Sequence, residues 1–158
     1  MRLMPLLVFA LFTSLLLMQQ QYVQSMQVSS NTKQMKADAA FFLNYRSAVM
    51  AYMQKNPAFT GTIPSSSLTA LYGQQFSGSF ISSAGNAITV SGSGRQVTVY
   101  AALPAGALQV ILQESGNDAS IGLSAGTTWT SQANGVVGTA QPLAVAVPAH
   151  DVVSVFIM

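Results

Sequence analysis

Cysteine is absent from this chain. Its absence excludes disulfides, iron–sulfur clusters, thiol catalysis and Cys-ligated zinc. It leaves the compartment open, because an exported protein need not contain cysteine. Charge is scarce as well. Charged residues make up 6% of the 158 positions, against about 25% in an ordinary soluble domain. Six Lys+Arg against four Asp+Glu leave a net charge of +2. Arg2, Lys33, Lys36, Arg46, Lys55 and Arg95 are scattered along the chain. A nucleic-acid surface needs its cations clustered on one face, so nucleic acid is not expected as a partner. Histidine occurs once, at His150. A metal site needs several His or carboxylate side chains converging, and neither metal nor any other cofactor is expected. What is present is apolar: 50% of the residues are hydrophobic, which excludes a disordered chain.

The apolar content begins at once. Leu3–Met18 (LMPLLVFALFTSLLLM) is uncharged, with a polar break only at Thr13-Ser14. As a helix it reaches about 24 Å, short of the roughly 30 Å of a bilayer core. The next charge is Lys33, so Tyr22, Val23 and three glutamines extend the run, with Tyr22 suited to the headgroup level. Residues 1–23 are therefore expected to be a membrane anchor. Its membrane-facing residues are Leu3, Leu6, Leu7, Val8, Phe9, Leu11, Phe12, Leu15, Leu16 and Leu17. Arg2 precedes the run, which keeps the N-terminus cytoplasmic and sends the rest of the chain across the membrane. The competing reading is a cleaved secretory signal, with Val23-Gln24-Ser25 before the cut. The favoured Ala-x-Ala is missing there. No prepilin leader is expected: no glycine precedes the apolar run and no glutamate stands near its start.

Residues 24–56 read as a helical stem. Met35, Ala39, Phe42, Tyr45, Val49, Tyr52 and Met53 recur at three- and four-residue spacing, and Phe41, Tyr45, Ala48 and Tyr52 form a neighbouring row. This is the broad stripe of an amphipathic helix. Asn31 or Thr32 is a suitable opening, and Lys55-Asn56-Pro57 a suitable end. A start nearer residue 20 is the alternative, with Ser29-Ser30-Asn31 as its weak point. Met35, Phe41, Phe42, Tyr45, Val49, Tyr52 and Met53 have two readings: a core against a sheet, or a stripe that receives a partner helix.

Residues 57–158 change character, with Gly, Ser, Thr, Ala and Val dominant. Ser65–Tyr72 reads as a short helix. Ser79–Ser83, Ala87–Ser91 and Arg95–Leu103 read as strands, broken at Gly85-Asn86 and Gly92-Ser93-Gly94. Pro104–Ser115 reads as a helix with Pro at its start and Gly116 past its end, a strand being the alternative. Ser120–Ser124, Thr127–Ser131, Val136–Thr139, Leu143–Val147 and Val152–Ile157 complete a strand-rich tail, and Asn134-Gly135 is its strongest hairpin signal. The helix stripe and one sheet face must cover each other. The expected class is α+β, with the long N-terminal helix packed on a mainly antiparallel sheet.

Catalytic chemistry has few candidates. His150 adjoins Asp151, but neighbours on a strand point to opposite faces, which orients an imidazole poorly. Gly92-Ser93-Gly94 lacks the outer glycines of a nucleophile elbow, and no helix with a lysine follows Arg95 to cradle phosphate. Glu114 and Asp118 stand four apart, with Gly116-Asn117 between them. They read as a solvated turn, the alternative being that Asp118 orders the loop as an Asx-turn. No enzymatic activity is expected.

Several features carry a family likeness. They are the Arg-led apolar segment, Phe41-Phe42-x-x-Tyr45-Arg46, Leu103-Pro104-Ala105-Gly106, Ser115-Gly116-Asn117-Asp118 followed by Ile121-Gly122, and the Val147-Pro148 ending. In this pattern the chain resembles the PilM proteins of type IVb thin-pilus systems and, more broadly, type IV pilin-like architecture. The resemblance implies a non-catalytic inner-membrane part of the pilus basal apparatus that assists pilin transport or assembly. It implies other pilus-machine proteins as partners, pilin among them, and a periplasmic C-terminal domain; self-association also fits. The alternative is an exported periplasmic or surface binding module whose signal is removed.

Overall fold

The computed structural model describes residues 4–72 and 76–158, with side chains from residue 30 on apart from 71–75. The element order is α1 (Met4–Lys55), α2 (Ser65–Tyr72), α3 (Gly78–Ser83), β1 (Ala84–Ser91), β2 (Gly94–Ala101), α4 (Ala107–Glu114), β3 (Ile121–Ser124), β4 (Thr128–Ser131), β5 (Gln141–Pro142) and β6 (Val152–Ile157). The class is α+β, with a helix at the N-terminus and a sheet whose pairings are all antiparallel.

Helix α1 runs unbroken for 52 residues. No glycine occurs before Gly61, and proline enters only at Pro5, in the first turn, where a missing N–H is tolerated. The helix therefore does not open at Asn31 or Thr32, and Ser29-Ser30-Asn31 does not interrupt it. Serine and asparagine carry only modest helix penalties, far below those of Gly or Pro. The end falls where Pro57 requires it. Asn56 closes the last turn, its backbone N–H and its side-chain amide each donating to the Tyr52 carbonyl at 3.0 Å. Two compact units are present, Met1–Gln34 and Met35–Met158. The expected anchor residues, Leu3 and Leu6 through Leu17, lie outside the residues whose side chains are described. Among the described residues no helix is long and apolar enough to cross a membrane.

The six strands stand in the order β1-β2-β6-β3-β4-β5. The final strand of the chain thus lies inside the sheet, paired with β2 through Thr98↔Val155 and with β3 through Gly122↔Val153. One sheet face carries Ile88, Val97, Val99, Ala101, Ile121 and Val152. These form a buried core with Ala39, Phe42, Tyr45, Ala48, Val49 and Met53 of α1. A smaller core covers the other face, made of Trp129, Leu143, Val147 and Val153 with Tyr100, Val145 and Val155 against it.

Several expected strands are corrected. Ser79–Ser83 is not a strand but helix α3. The Ser77 hydroxyl accepts the Phe80 N–H at 3.2 Å, and Ser82 and Ser83 donate back to the carbonyls of Ser79 and Phe80. Hydroxyls that bond to nearby backbone favour such a capped turn over a ladder. Gly85-Asn86 does not break the sheet but lies within β1. Gly85 is required there because a Cβ would overlap the ring of Tyr100. Asn134-Gly135 is not a two-residue hairpin: Ala133–Gly135 forms a single 3-10 turn with Asn134 at φ 57°. Val136–Thr139 makes no strand, and Val136 and Val137 stay exposed. Leu143–Val147 is likewise not a strand. Pro142 ends β5 after two residues. The following segment is fastened by Leu143 N–H to Thr127 O at 2.8 Å and Val147 N–H to Gly126 O at 2.9 Å. It lays Leu143 and Val147 onto the second core.

Candidate functional site

The residues singled out on α1 divide by burial. Phe42, Tyr45, Val49 and Met53 are buried; Phe41 and Tyr52 are half-buried against the same core; Met35 is half-buried, its sulfur close to Gly106. The aromatic residues extend into a cluster. Tyr45 meets Phe76 and Phe80 edge-on, with centroids 5.6 and 5.8 Å apart, and Tyr52 meets Phe59 at 5.3 Å. Edge-to-face geometry of this kind adds to simple area burial. The stripe from Phe42 to Met53 is thus occupied by the chain's own sheet.

Two polar ties fasten the helix within this core. The first is Asn86, 2% exposed. Its carbonyl accepts Ile63 N–H at 2.7 Å, and its amide donates to Ile63 O at 2.9 Å and to the Tyr45 hydroxyl at 2.8 Å. One side chain thus acts as a strand partner for Ile63 and as a clasp on α1. Gly61 and Ile88 pair beside it through two bonds of 2.9 Å. Burial raises the Tyr45 pKa above the usual phenolic value; the Asn86 bond lowers it in part and the charge of Tyr100 adds to the rise.

The second tie is Arg46 to Asp118, at 2.6 Å, between half-buried side chains. Arg46 also donates to the Ser120 hydroxyl at 3.0 Å, and its guanidinium lies 5.6 Å from the centre of the Phe156 ring. Ser120 N–H donates to Asp118 at 2.8 Å, so the loop takes the alternative Asx-turn and is not the solvated turn expected, because Arg46 draws the carboxylate against the sheet. Burial opposes the Asp118 charge. The Ser120 backbone N–H and hydroxyl, together with the Arg46 guanidinium, outweigh it and hold the carboxyl below the ordinary aspartate value. Glu114 closes α4, and left-handed Gly116 and Asn117 turn the chain away before Asp118.

The remaining candidates do not gather. His150 is exposed in a left-handed turn at φ 72°, its N–H bonded to Ser124 O at 2.8 Å. Asp151 beside it is buried, which raises its pKa. Ser93 sits exposed on the β1–β2 turn. Among the described residues no group of three His, Cys, Asp or Glu side chains converges as a metal site requires. Asn86 and the Arg46–Asp118 pair escape sequence reasoning because their partners lie 23 to 72 residues away.

The PilM family model matches residues 7–155. The chain belongs to the PilM family. No curated protein matches it. A crystal structure described as PilM from Escherichia coli B7A is similar at 17% sequence identity with a TM-score of 0.52, covering 80% of this chain and 94% of that one. At that identity the likeness speaks to the fold. The family places the chain among pilus-associated proteins.

Proposed function

We propose that this PilM family member is a non-catalytic, structural part of a bacterial type IVb pilus assembly apparatus. It is held in the inner membrane by residues 1–23 and acts through protein–protein contacts of a periplasmic, pilin-like helix-on-sheet body. The observation that carries the reading is the family match across residues 7–155. The apolar run Leu3–Met18 and the continuous helix from Met4 to Lys55 support the anchor. A helix whose buried stripe is the sheet's own core suits a fixed machine part.

The test is the intact mass of the chain recovered from membranes. The expected mass is that of the whole sequence. A chain starting at Met26, released by gentle fractionation, overturns the anchor and leaves an exported binding module. Photocrosslinking from positions 20–35 is expected to capture other pilus proteins, and its failure in piliated cells counts against the partner assignment.

A further inference from the structure

Asparagine occurs at positions 31, 44, 56, 86, 117 and 134. An asparagine closes a five-membered imide when the next residue's amide nitrogen attacks its side-chain carbonyl carbon. That attack needs an unheld side chain, a following peptide that can turn, and little bulk on the following residue. Asn31 and Asn44 lie inside α1, where the helix fixes the peptide that would have to turn. Asn56 precedes Pro57, which has no N–H to lose. Asn86 is buried with its side-chain amide and carbonyl both bonded. Asn117 precedes Asp118, whose side chain crowds the nitrogen and whose negative charge opposes its loss of a proton. Asn134 alone is followed by glycine.

The structure leaves that pair accessible. Asn134 and Gly135 are both exposed, in the turn between β4 and β5. Among the described residues no hydrogen-bond partner holds the Asn134 side chain. The backbone of Asn134 stands at φ 57° and ψ 24°. At that ψ the Gly135 nitrogen points away from the side chain, so ring closure waits on rotation about the Cα–C bond. Val136 N–H to Ala133 O at 3.1 Å closes the turn, and Gly138 N–H to Ser131 O at 2.8 Å closes the loop outside it. Val136 and Val137 are 67% and 64% exposed, so no apolar packing reinforces these bonds. A turn held by exposed bonds alone opens at low cost. The stretch 119–149 contains no charged side chain, so no neighbour in sequence opposes the anionic nitrogen.

We infer that Asn134 is a site of spontaneous deamidation through a cyclic imide formed with Gly135. The Gly135 nitrogen gives its proton to solvent base and bonds to Cγ of Asn134. The Cγ–Nδ2 bond breaks, and the amide leaves as ammonia after taking a proton from solvent. Water then opens the ring at the main-chain carbonyl, giving isoaspartate, or at Cγ, giving aspartate. No oxidant or reductant is involved. The product lowers the net charge of +2 by one and places the first charge in the stretch 119–149, beside the exposed Val136 and Val137. Isoaspartate also adds a methylene to the main chain where Asn134 held a left-handed turn. The inference goes beyond the proposed function and does not depend on it.

The test incubates the full chain in detergent in mildly alkaline heavy-oxygen water, beside a synthetic peptide of residues 130–139. Chymotryptic mapping with electron-transfer fragmentation then separates asparagine, aspartate and isoaspartate at each position. Asn134 is expected to convert, isoaspartate in excess, with heavy oxygen in the product and at a rate that rises with pH. The folded chain should lag the peptide by on the order of 10-fold, the factor for breaking one exposed hydrogen bond. Asn86 in the same sample should remain amide. G135A, whose added Cβ meets no neighbour within 4 Å, should slow conversion by crowding the attacking nitrogen. Intact Asn134 after the peptide has fully converted overturns the inference. So does faster conversion at another asparagine, aspartate without isoaspartate, or an undiminished rate in G135A.

Discussion

Replacing Asn86 with alanine tests the account of the core most directly. The change removes one acceptor and two donors. It strands the N–H and C=O of Ile63, 1% exposed, and the hydroxyl of Tyr45, 3% exposed. Each orphaned buried group costs about 1–3 kcal/mol, and a water entering the vacated space recovers part of it. The net expectation is a loss of about 3–5 kcal/mol, a large share of a typical domain's 5–15 kcal/mol. At this chain length it corresponds to a fall in Tm of roughly 10 °C. Denaturant unfolding of the full chain in detergent measures it, and amide exchange locates it, since protection at Ile63 should collapse first.

Two companions sharpen the case. Y45F removes only the hydroxyl and should cost about 1 kcal/mol alone and nearly nothing in an N86A background. N86D keeps the shape but turns a donor into an acceptor against the Ile63 carbonyl. It should be worse than N86A at neutral pH and recover in acid, as the carboxyl regains a proton to donate. A loss below about 1 kcal/mol for N86A, or additive effects of N86A and Y45F, would refute the clasp.

Further outcomes follow from Asp118 and Asp151. The Asp118 carboxyl is held below its unfolded value, so its contribution to stability is present above the unfolded pKa and lost as pH falls through the folded one. D118N should therefore cost about 1–2 kcal/mol at pH 7 and nothing in strong acid, by pH-dependent denaturation. Asp151 has the opposite sign. Burial raises its pKa, so ionisation opposes folding as pH rises, and D151N should raise Tm at pH 7 with the gain vanishing in acid. G85A should destabilise the chain by about 2 kcal/mol or more, because Tyr100 must leave its place on the sheet; an unchanged Tm would mean that the ring moves freely. Phe42→Asp buries a charge in the helix–sheet core and should abolish accumulation in cells, read by immunoblot.

Much of the fold is legible where a local rule decides it. The spacing of Phe42, Tyr45, Val49 and Met53 marks the helical face that the sheet covers. Pro104 and Gly116 bracket α4, and the alternation of Val97, Val99 and Ala101 marks β2. The failures share a different physics. The alternation of Leu143, Val145 and Val147 signals burial on one side, which a loop laid over the sheet's second face satisfies as well as a strand does. Ser79–Ser83 has the composition of an edge strand, and only the Ser77 cap decides for a helix. Asn86 reads as a turn residue because nothing nearby in sequence shows that Ile63 and Tyr45 will satisfy it.

Tyr45 and Arg46 are consecutive on α1, yet they fasten it to opposite flanks of the central sheet. Tyr45 is held through Asn86 on β1, and Arg46 through Asp118 ahead of β3, with β2 and β6 between those strands. An apolar stripe alone tolerates repacking, because hydrophobic contacts of similar volume exchange at small cost. Directional bonds do not. Sliding α1 by one turn would take the Tyr45 hydroxyl from the Asn86 amide and the Arg46 guanidinium from the half-buried Asp118 carboxylate, a penalty that apolar contacts on the shifted helix do not make good. Those two ties, in a chain with only ten charged side chains, set the register of the helix on the sheet. The apolar stripe supplies most of the stability, and the polar pair selects a single alignment from those the stripe would permit.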